Sequence, residues 1–125
     1  MPCNLWLGGS ASTQDELDEI MRYLSQIPVA VRWVSLEPML GEIELFDYVP
    51  PYRKRDNGLD FVMLGGETGP GARPMQVEWA RKVRDDCVAA GVKFNFKSWG
   101  RNIPEGQKDR YTLDGVEYNQ WPEVK

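Results

Sequence analysis

The chain has 125 residues, with 15 Lys and Arg, 19 Asp and Glu, two Cys and no His. This length predicts one domain, residues 1–125, and the 42% hydrophobic and 27% charged residues are typical of a globular protein. Without His, the chain cannot form a Ser-His-Asp triad or a His-containing zinc site. Cys3 and Cys87 are too few for an iron–sulfur cluster or a zinc site, so we expect no metal and no cofactor. Both are interpreted as reduced thiols, with Cys87 a small core residue.

The charge balance bears on partners. A net charge of −4 argues against nucleic-acid binding, because phosphate contacts need a clustered positive surface. The basic cluster Arg53-Lys54-Arg55 is followed at once by Asp56 and is interpreted as a solvated loop tip, the alternative being a docking patch for an acidic partner. No segment has the ~20 apolar residues of a membrane span, and residues 1–10 do not resemble a signal peptide. We therefore expect a cytoplasmic protein with no membrane contact.

The first predicted elements are a strand and a helix. Residues 4–8 predict a short buried strand that runs into Gly8-Gly9-Ser10. Residues 14–27 predict a helix, since apolar residues recur there at helical spacing: Leu17, Ile20, Met21, Leu24 and Ile27. Thr13 and Glu16 fit a capping box at its start, and Pro28 ends it.

The middle of the chain predicts two strands separated by a loop. Residues 29–36 are rich in β-branched and aromatic side chains, which indicates a strand buried on both faces. Residues 41–58 are interpreted as a surface loop insertion, in which residues 42–45 form a brief strand or a turn. Residues 59–64 predict the third strand.

The last part predicts a second helix, a strand and a tail. Residues 76–90 have an apolar helical face formed by Val77, Ala80, Val83, Cys87 and Ala90, and Gly91 is the expected stop. Val92, Phe94 and Phe96 alternate with polar residues, which predicts a strand that Trp99-Gly100 closes. Residues 101–125 predict an irregular tail that packs back.

The order of these elements predicts an α/β fold made of parallel βα units. We expect a partial (β/α) barrel or an open, mainly parallel four-stranded sheet with two main helices. In both architectures the functional loops lie beyond the carboxyl ends of the strands. The loops that follow the four strands should therefore meet at one rim.

That rim supplies the candidate ligand-binding residues: Ser10, Glu37, Glu67, Arg73, Lys97 and Trp99. Carboxylates can bind an ammonium or a hydroxyl group, cations can bind a carboxylate or phosphate, and glycine amides allow close backbone approach. The alternative is structural: Glu37 and Glu67 cap loop amides and pair with Lys97 or Arg73 to hold the loops. No catalytic residue can be assigned.

Two other patterns have structural interpretations. The glycine-rich segment 65–71 lacks the Gly-Lys-Ser/Thr of a Walker loop, and Pro70 and Pro74 interrupt a dinucleotide fingerprint, so its glycines are interpreted as shaping a loop. The aromatic stripe is interpreted as core rather than as a cofactor site; it consists of Trp33, Phe61, Phe94 and Phe96.

Four motifs in register carry a family resemblance: residues 4–8 (NLWLG), 31–41 (VRWVSLEPMLG), 65–75 (GGETGPGARPM) and 96–100 (FKSWG). Over residues 4–100 the chain resembles the carboxyl-terminal half of the phage-associated radical-SAM-like proteins of unassigned function. The resemblance implies a partial (β/α) barrel with Glu37, Glu67, Arg73 and Lys97 at the mouth. It also implies an amino-terminal half whose cysteine motif holds a [4Fe-4S] cluster that binds S-adenosylmethionine, and this chain lacks that motif.

Three functions are compatible with a half-barrel that has no cluster. The first, which we favour, is a phage-derived interaction module that docks on a protein or self-associates, because open sheet edges recruit partners. Inhibition of a host defence complex is one such role. The second is a fragment of a split radical-SAM enzyme, and the third is a small ligand-binding or enzymatic domain that uses the rim. We expect binding rather than catalysis, with a protein partner or a homo-oligomer.

Overall fold

The computed structural model describes residues 4–50 and 57–123. The elements in chain order are β1 (Trp6–Ser10), α1 (Gln14–Leu24), β2 (Val31–Leu36), a 3₁₀ turn (Phe46–Tyr48), β3 (Phe61–Gly65), α2 (Val77–Ala90) and β4 (Lys93–Ser98). The strands form one parallel sheet in the order β1-β2-β3-β4. The predicted α/β class, an open parallel four-stranded sheet with two helices, is therefore confirmed. Cys3 and the basic cluster Arg53-Lys54-Arg55 lie outside the described residues.

The start of α1 follows from its capping residues. The Thr13 hydroxyl accepts a hydrogen bond from the Glu16 amide at 3.3 Å, as the capping box predicts. The Glu16 carboxylate accepts from the Ser12 amide at 2.9 Å. In a capping box it would accept from the amide of Thr13, one residue later. Leu17, Met21 and Leu24 are buried against the sheet, which gives the helix the apolar face expected from its periodicity.

α1 ends at Leu24, three residues before the predicted end at Ile27. Arg32 of β2, a residue that is only 1% exposed, contacts this end of the helix. Its guanidinium donates to the carbonyl oxygens of Leu24 at 2.8 Å, Ile27 at 2.6 Å and Gly58 at 3.1 Å. The guanidinium thus satisfies the Ile27 and Gly58 carbonyls and is a second donor to the Leu24 carbonyl, which also accepts from the Ile27 amide.

The two helices cover one face of the sheet. Strand alternation and register place two cross-strand rows on that face, Val34-Val62-Phe94 and Leu36-Leu64-Phe96, and all six side chains are buried. Cys87 of α2 packs in the same core, as predicted, and burial raises the pKa of its thiol far above the usual range. Neither helix in the described part of the chain is long and apolar enough to cross a membrane.

Residues 41–50, the first part of the segment 41–58 predicted as a surface loop, contribute to the core, and so does Met39 just before them. Met39, Ile43, Leu45 and Val49 are buried in it, and residues 42–45 form no strand. Ile43 and Leu45 alternate with Glu42 and Glu44, but this alternation is too short to distinguish a buried segment from a surface turn.

The tail packs back on β4 and α2. The Phe96 amide donates to the Tyr118 carbonyl at 3.0 Å, and Asn95 and Asn119 form an antiparallel bridge. On the other side, Asp114 accepts hydrogen bonds from Arg81 and Arg84 of α2. These contacts place the tail along the outer edge of β4.

Candidate binding rim and helix-free sheet face

The carboxyl ends of the four strands form one rim, because every strand pair is parallel. Ser10 ends β1, and Glu37 directly follows β2. Glu67 lies just beyond β3, and Lys97 is the second-last residue of β4. The structure therefore brings these predicted residues to the same edge. Arg73 joins them through its contact with Glu67.

Glu37 and Lys97 form an ion pair that crosses the end of β3. The Lys97 Nζ lies 2.9 Å from the Glu37 Oε1, and the side chains are 66% and 29% exposed, respectively. Gly65 of β3 lies beneath them, where a Cβ atom would be 3.1 Å from the Glu37 Cδ. A glycine at this position thus leaves room for the Glu37 side chain to reach Lys97.

Glu67 and Arg73 form a second pair with a different geometry. The Arg73 guanidinium donates to both carboxylate oxygens, at 3.0 and 2.7 Å, and the Arg73 amide donates to Oε1 at 2.9 Å. These hydrogen bonds lower the pKa of Glu67 to about 2, and those from the Arg73 side chain have the largest effect. The carboxylate is used to close the loop between residues 67 and 73, which favours the structural role for this pair.

The glycine-rich segment is shaped by close backbone packing. The Gly66 amide donates to the Ser98 carbonyl at 2.9 Å, and the Arg101 amide donates to the Glu67 carbonyl at 3.0 Å. A Cβ atom on Gly66 would overlap the backbone of Trp99. This glycine is therefore needed for the contact between two loops, in line with the loop-shaping interpretation.

Trp99 does not belong to the rim surface. Its side chain is buried, its indole N–H donates to the Thr112 carbonyl at 2.9 Å, and its ring packs edge-on against Phe96. The prediction of Trp99 as a ligand-binding residue is corrected accordingly, because the tail covers the ring and satisfies its donor. Its place two residues after Lys97 in the sequence does not reveal that the tail covers it.

The face of the sheet opposite the helices carries a second group of residues, which sequence reasoning missed. Four of its hydrophobic side chains are partly or largely exposed: Trp6, Trp33, Met63 and Trp121. Gly8 provides the space that the Trp33 ring occupies, and Trp121 packs on Phe61 with ring centroids 5.1 Å apart. We call this surface the helix-free face.

The aromatic stripe predicted as core thus divides between the two faces. Phe94 and Phe96 point to the helices, whereas Trp33 and Phe61 point to the helix-free face. The strict alternation along β2 contains this signal, since Trp33 and Ser35 lie opposite to Val34 and Leu36. At the rim, the helix-free face continues into the Glu37–Lys97 pair.

Comparison with protein families assigns the chain to one family. The family described as a protein of unknown function (DUF5131) matches residues 1–122, and the chain belongs to it. No curated protein and no protein of known structure shows significant similarity to the chain. Since the family description names no activity, the resemblance to phage radical-SAM-like proteins stays a prediction.

Proposed function

We propose that this member of the DUF5131 family is a protein-binding module whose helix-free face receives an amphipathic helix of a partner protein. The main support for this proposal is that the helices pack on only one face of the sheet. Parallel sheets are normally covered by helices on both faces, and here α1 and α2 cover only one. A helix from another chain would supply the layer that these two elements do not form.

The composition of the helix-free face agrees with this occupant. Tryptophan and methionine are enriched at protein interfaces, and Trp6, Trp33, Met63 and Trp121 are the exposed or partly exposed apolar residues of this surface. Charged side chains stand around it, with Lys93 and Lys97 at β4 and Glu37 at the rim. The three tryptophans thus lie beside a polar cross-strand row in which Met63 is flanked by Ser35 and Asn95. An apolar strip next to polar and charged residues fits a helix that has one apolar stripe and polar flanks.

In the phage setting that the sequence resemblance implies, the partner is a subunit of a host or phage complex. A module of this kind acts by occupying a surface, so inhibition of a defence complex needs no catalytic group on the module itself. The proposal thus requires no chemistry from the rim residues.

Site-specific photocrosslinking tests the proposal. p-Benzoylphenylalanine in place of Met63 puts the probe on the helix-free face, and the same probe in place of Val88, which is 62% exposed on α2, is the control. In infected or expressing cells, we expect one discrete adduct from position 63 and none from position 88. Mass spectrometry should place the partner's crosslinked peptide in an amphipathic helix.

A second variant checks that the adduct depends on the face. Trp121 is 56% exposed, so Trp121→Ala should leave the fold intact while it lowers the yield from position 63 several-fold. Equal yields from positions 63 and 88, or no adduct at position 63, would contradict the proposal. A crosslinked peptide from an extended segment would contradict the helical partner.

A second candidate function uses the Glu37–Lys97 pair to bind a small zwitterion. The two charges lie 2.9 Å apart on the surface, so an ammonium group can pair with Glu37 and a carboxylate with Lys97. Calorimetric titration with amino acids, nucleotides and S-adenosylmethionine tests this candidate. Binding that both Glu37→Gln and Lys97→Gln weaken at least tenfold, but Glu67→Gln does not, would support it. Absence of binding across the panel would exclude it.

A further inference from the structure

The two edges of the sheet differ in how they are protected. At the β4 edge the tail is hydrogen-bonded to the strand, and Lys93 and Lys97 add charge. At the opposite edge, β1 has the sequence Trp-Leu-Gly-Gly-Ser, with no charged residue and no proline. Lysine, proline and covering segments are the usual protections against edge pairing. The β1 edge has none of these protections within the part of the chain that the structure describes.

The hydrogen bonds around β1 show which backbone groups point away from the sheet. The Leu5 carbonyl accepts from the Ala30 amide at 2.8 Å, and the Ala11 amide donates to the Ser35 carbonyl at 3.0 Å. The backbone amides and carbonyls of the odd-numbered residues in this segment therefore point toward β2. Those of Trp6, Gly8 and Ser10 point away from the sheet. In residues 4–50 and 57–123, no backbone group bonds to the outward amides and carbonyls of these three residues.

The outward groups are symmetric about Gly8. In an antiparallel pairing of two copies, Gly8 lies opposite Gly8 of the other copy and Trp6 lies opposite Ser10, so the two edges form roughly six hydrogen bonds. Such an interface is isologous, because each copy offers the same groups. Gly8 has no side chain, and no like charges meet along the strand.

The flank of α1 beside this edge is also apolar. Ile20 lies over Gly9, 3.3 Å from the position of a Cβ atom there, and Tyr23 lies one turn further along the same side of α1, while Ile27 follows the end of the helix. Leu5, Tyr23 and Ile27 are among the exposed large hydrophobic residues. A second copy paired at β1 would bring the two α1 flanks side by side and shield this strip from water.

We propose that two copies of this chain associate through antiparallel pairing of their β1 strands, which gives a continuous eight-stranded sheet (two copies of the four-stranded sheet). The uncharged edge, the symmetric hydrogen-bonding groups and the apolar flank carry the inference. The dimer leaves Trp33, Met63 and Trp121 of the helix-free face open, and Trp6 lies where that face meets the β1 edge.

The test is the mass of the protein in solution, measured by sedimentation over a wide concentration range. We expect a dimer for the unmodified chain. Ser10→Pro removes one outward amide without touching the β1–β2 ladder, because proline is tolerated where a strand amide faces away from its neighbour. It should raise the dimer dissociation constant at least tenfold, whereas Ser10→Ala, which keeps the amide, should leave it unchanged.

A second pair of variants tests the flank. Leu5→Lys adds a charge at a 50% exposed position beside β1, and Val88→Lys adds one at a 62% exposed position of α2. The first should shift the protein toward monomer and the second should not, with thermal melts confirming that both fold. A monomer at every concentration would overturn the proposal, and so would a dimer that Ser10→Pro and Leu5→Lys leave unchanged. The crosslinking result at position 63 does not depend on whether the protein is a monomer or a dimer. A crosslink from position 63 to a second copy of the chain would, however, also overturn pairing at β1.

Discussion

The two ends of the sheet use charged residues in different ways. At the amino-terminal end, Arg32 is buried and its guanidinium donates to three backbone carbonyls. At the carboxyl-terminal end, Lys97 and Arg73 are largely exposed and pair with Glu37 and Glu67. In α/β barrels the first end contributes stability and the second carries the functional loops. In this open sheet the cation at the amino-terminal end is buried and bonds to backbone, whereas the two cations at the carboxyl-terminal end are exposed and pair with side chains.

The largest expected effect is at the amino-terminal end. Arg32→Met keeps most of the side-chain volume but removes the guanidinium donor of the Ile27 and Gly58 carbonyls and leaves the Leu24 carbonyl with only the Ile27 amide. Each buried acceptor without a partner costs about 1–3 kcal/mol, so we expect a loss of about 3 kcal/mol or more in the free energy of unfolding. Urea denaturation measures this loss.

The control for that variant is Arg22→Met, on the exposed side of α1. It removes the same charge and should change the free energy of unfolding by less than about 0.5 kcal/mol. A similar loss in both variants would mean that net charge, and not the buried hydrogen bonds of Arg32, is responsible.

A middle-sized effect is expected at Asp114, which ties the tail to α2 between the two ends. Its carboxylate accepts hydrogen bonds from Arg81 and Arg84. These bonds hold the pKa of Asp114 well below the usual range, and the bond from Arg81 has the larger effect. Asp114→Asn suits the position because asparagine tolerates the observed φ of 53°. We expect a loss of about 1 kcal/mol in the free energy of unfolding, measured by urea denaturation.

Asp114→Ala separates charge from backbone geometry. It should cost more than Asp114→Asn, because alanine is less favourable at positive φ. Equal losses would show that the ion pairs, and not the turn, account for the whole effect.

Much of the fold can be predicted from local patterns. Helices are predicted over residues 14–27 and 76–90 and are found at Gln14–Leu24 and Val77–Ala90, with the expected cap at Thr13 and the expected stop at Gly91. These features depend on neighbours within a few residues, so the sequence records them directly. The burial of Arg32 could not be predicted this way, since its carbonyl partners come from three separate segments of the chain.

The candidate site was predictable to a similar extent. Parallel strand order alone brings Ser10, Glu37, Glu67 and Lys97 to one rim. Which pair is internal to a loop depends on the fold of residues 67–73, and the position of Trp99 depends on the tail. Both depend on tertiary contacts that leave no periodic pattern in the sequence. The sequence alone therefore could not show that the Glu67–Arg73 pair closes a loop whereas the Glu37–Lys97 pair lies on the open surface.

A smaller effect with a distinct pH dependence is expected at Glu67. Because Arg73 lowers its pKa from 4.5 to about 2, the ionised carboxylate stabilises the folded chain above pH 4.5, and this contribution is lost as the pH falls through about 2. Glu67→Gln should therefore lower the melting temperature slightly at pH 7, and the difference from the unmodified chain should shrink between pH 4.5 and pH 2. Thermal melts across this range measure it. A difference that does not depend on pH would point to altered loop packing instead of the lost charge.

The smallest effect on stability is expected at the Glu37–Lys97 pair, where the charges are exposed and screened by water. Glu37→Gln should lower the free energy of unfolding by less than about 0.5 kcal/mol, the usual range for surface ion pairs. Gly65→Ala is the geometric counterpart, since its Cβ atom would lie 3.1 Å from the Glu37 Cδ and require a small shift of the Glu37 side chain. If both variants stay close to the unmodified chain in urea denaturation, the pair does not hold the end of the sheet together, and its charges are free to serve a ligand. A loss above about 1 kcal/mol in Glu37→Gln would instead make this pair a brace like that of Glu67 and Arg73.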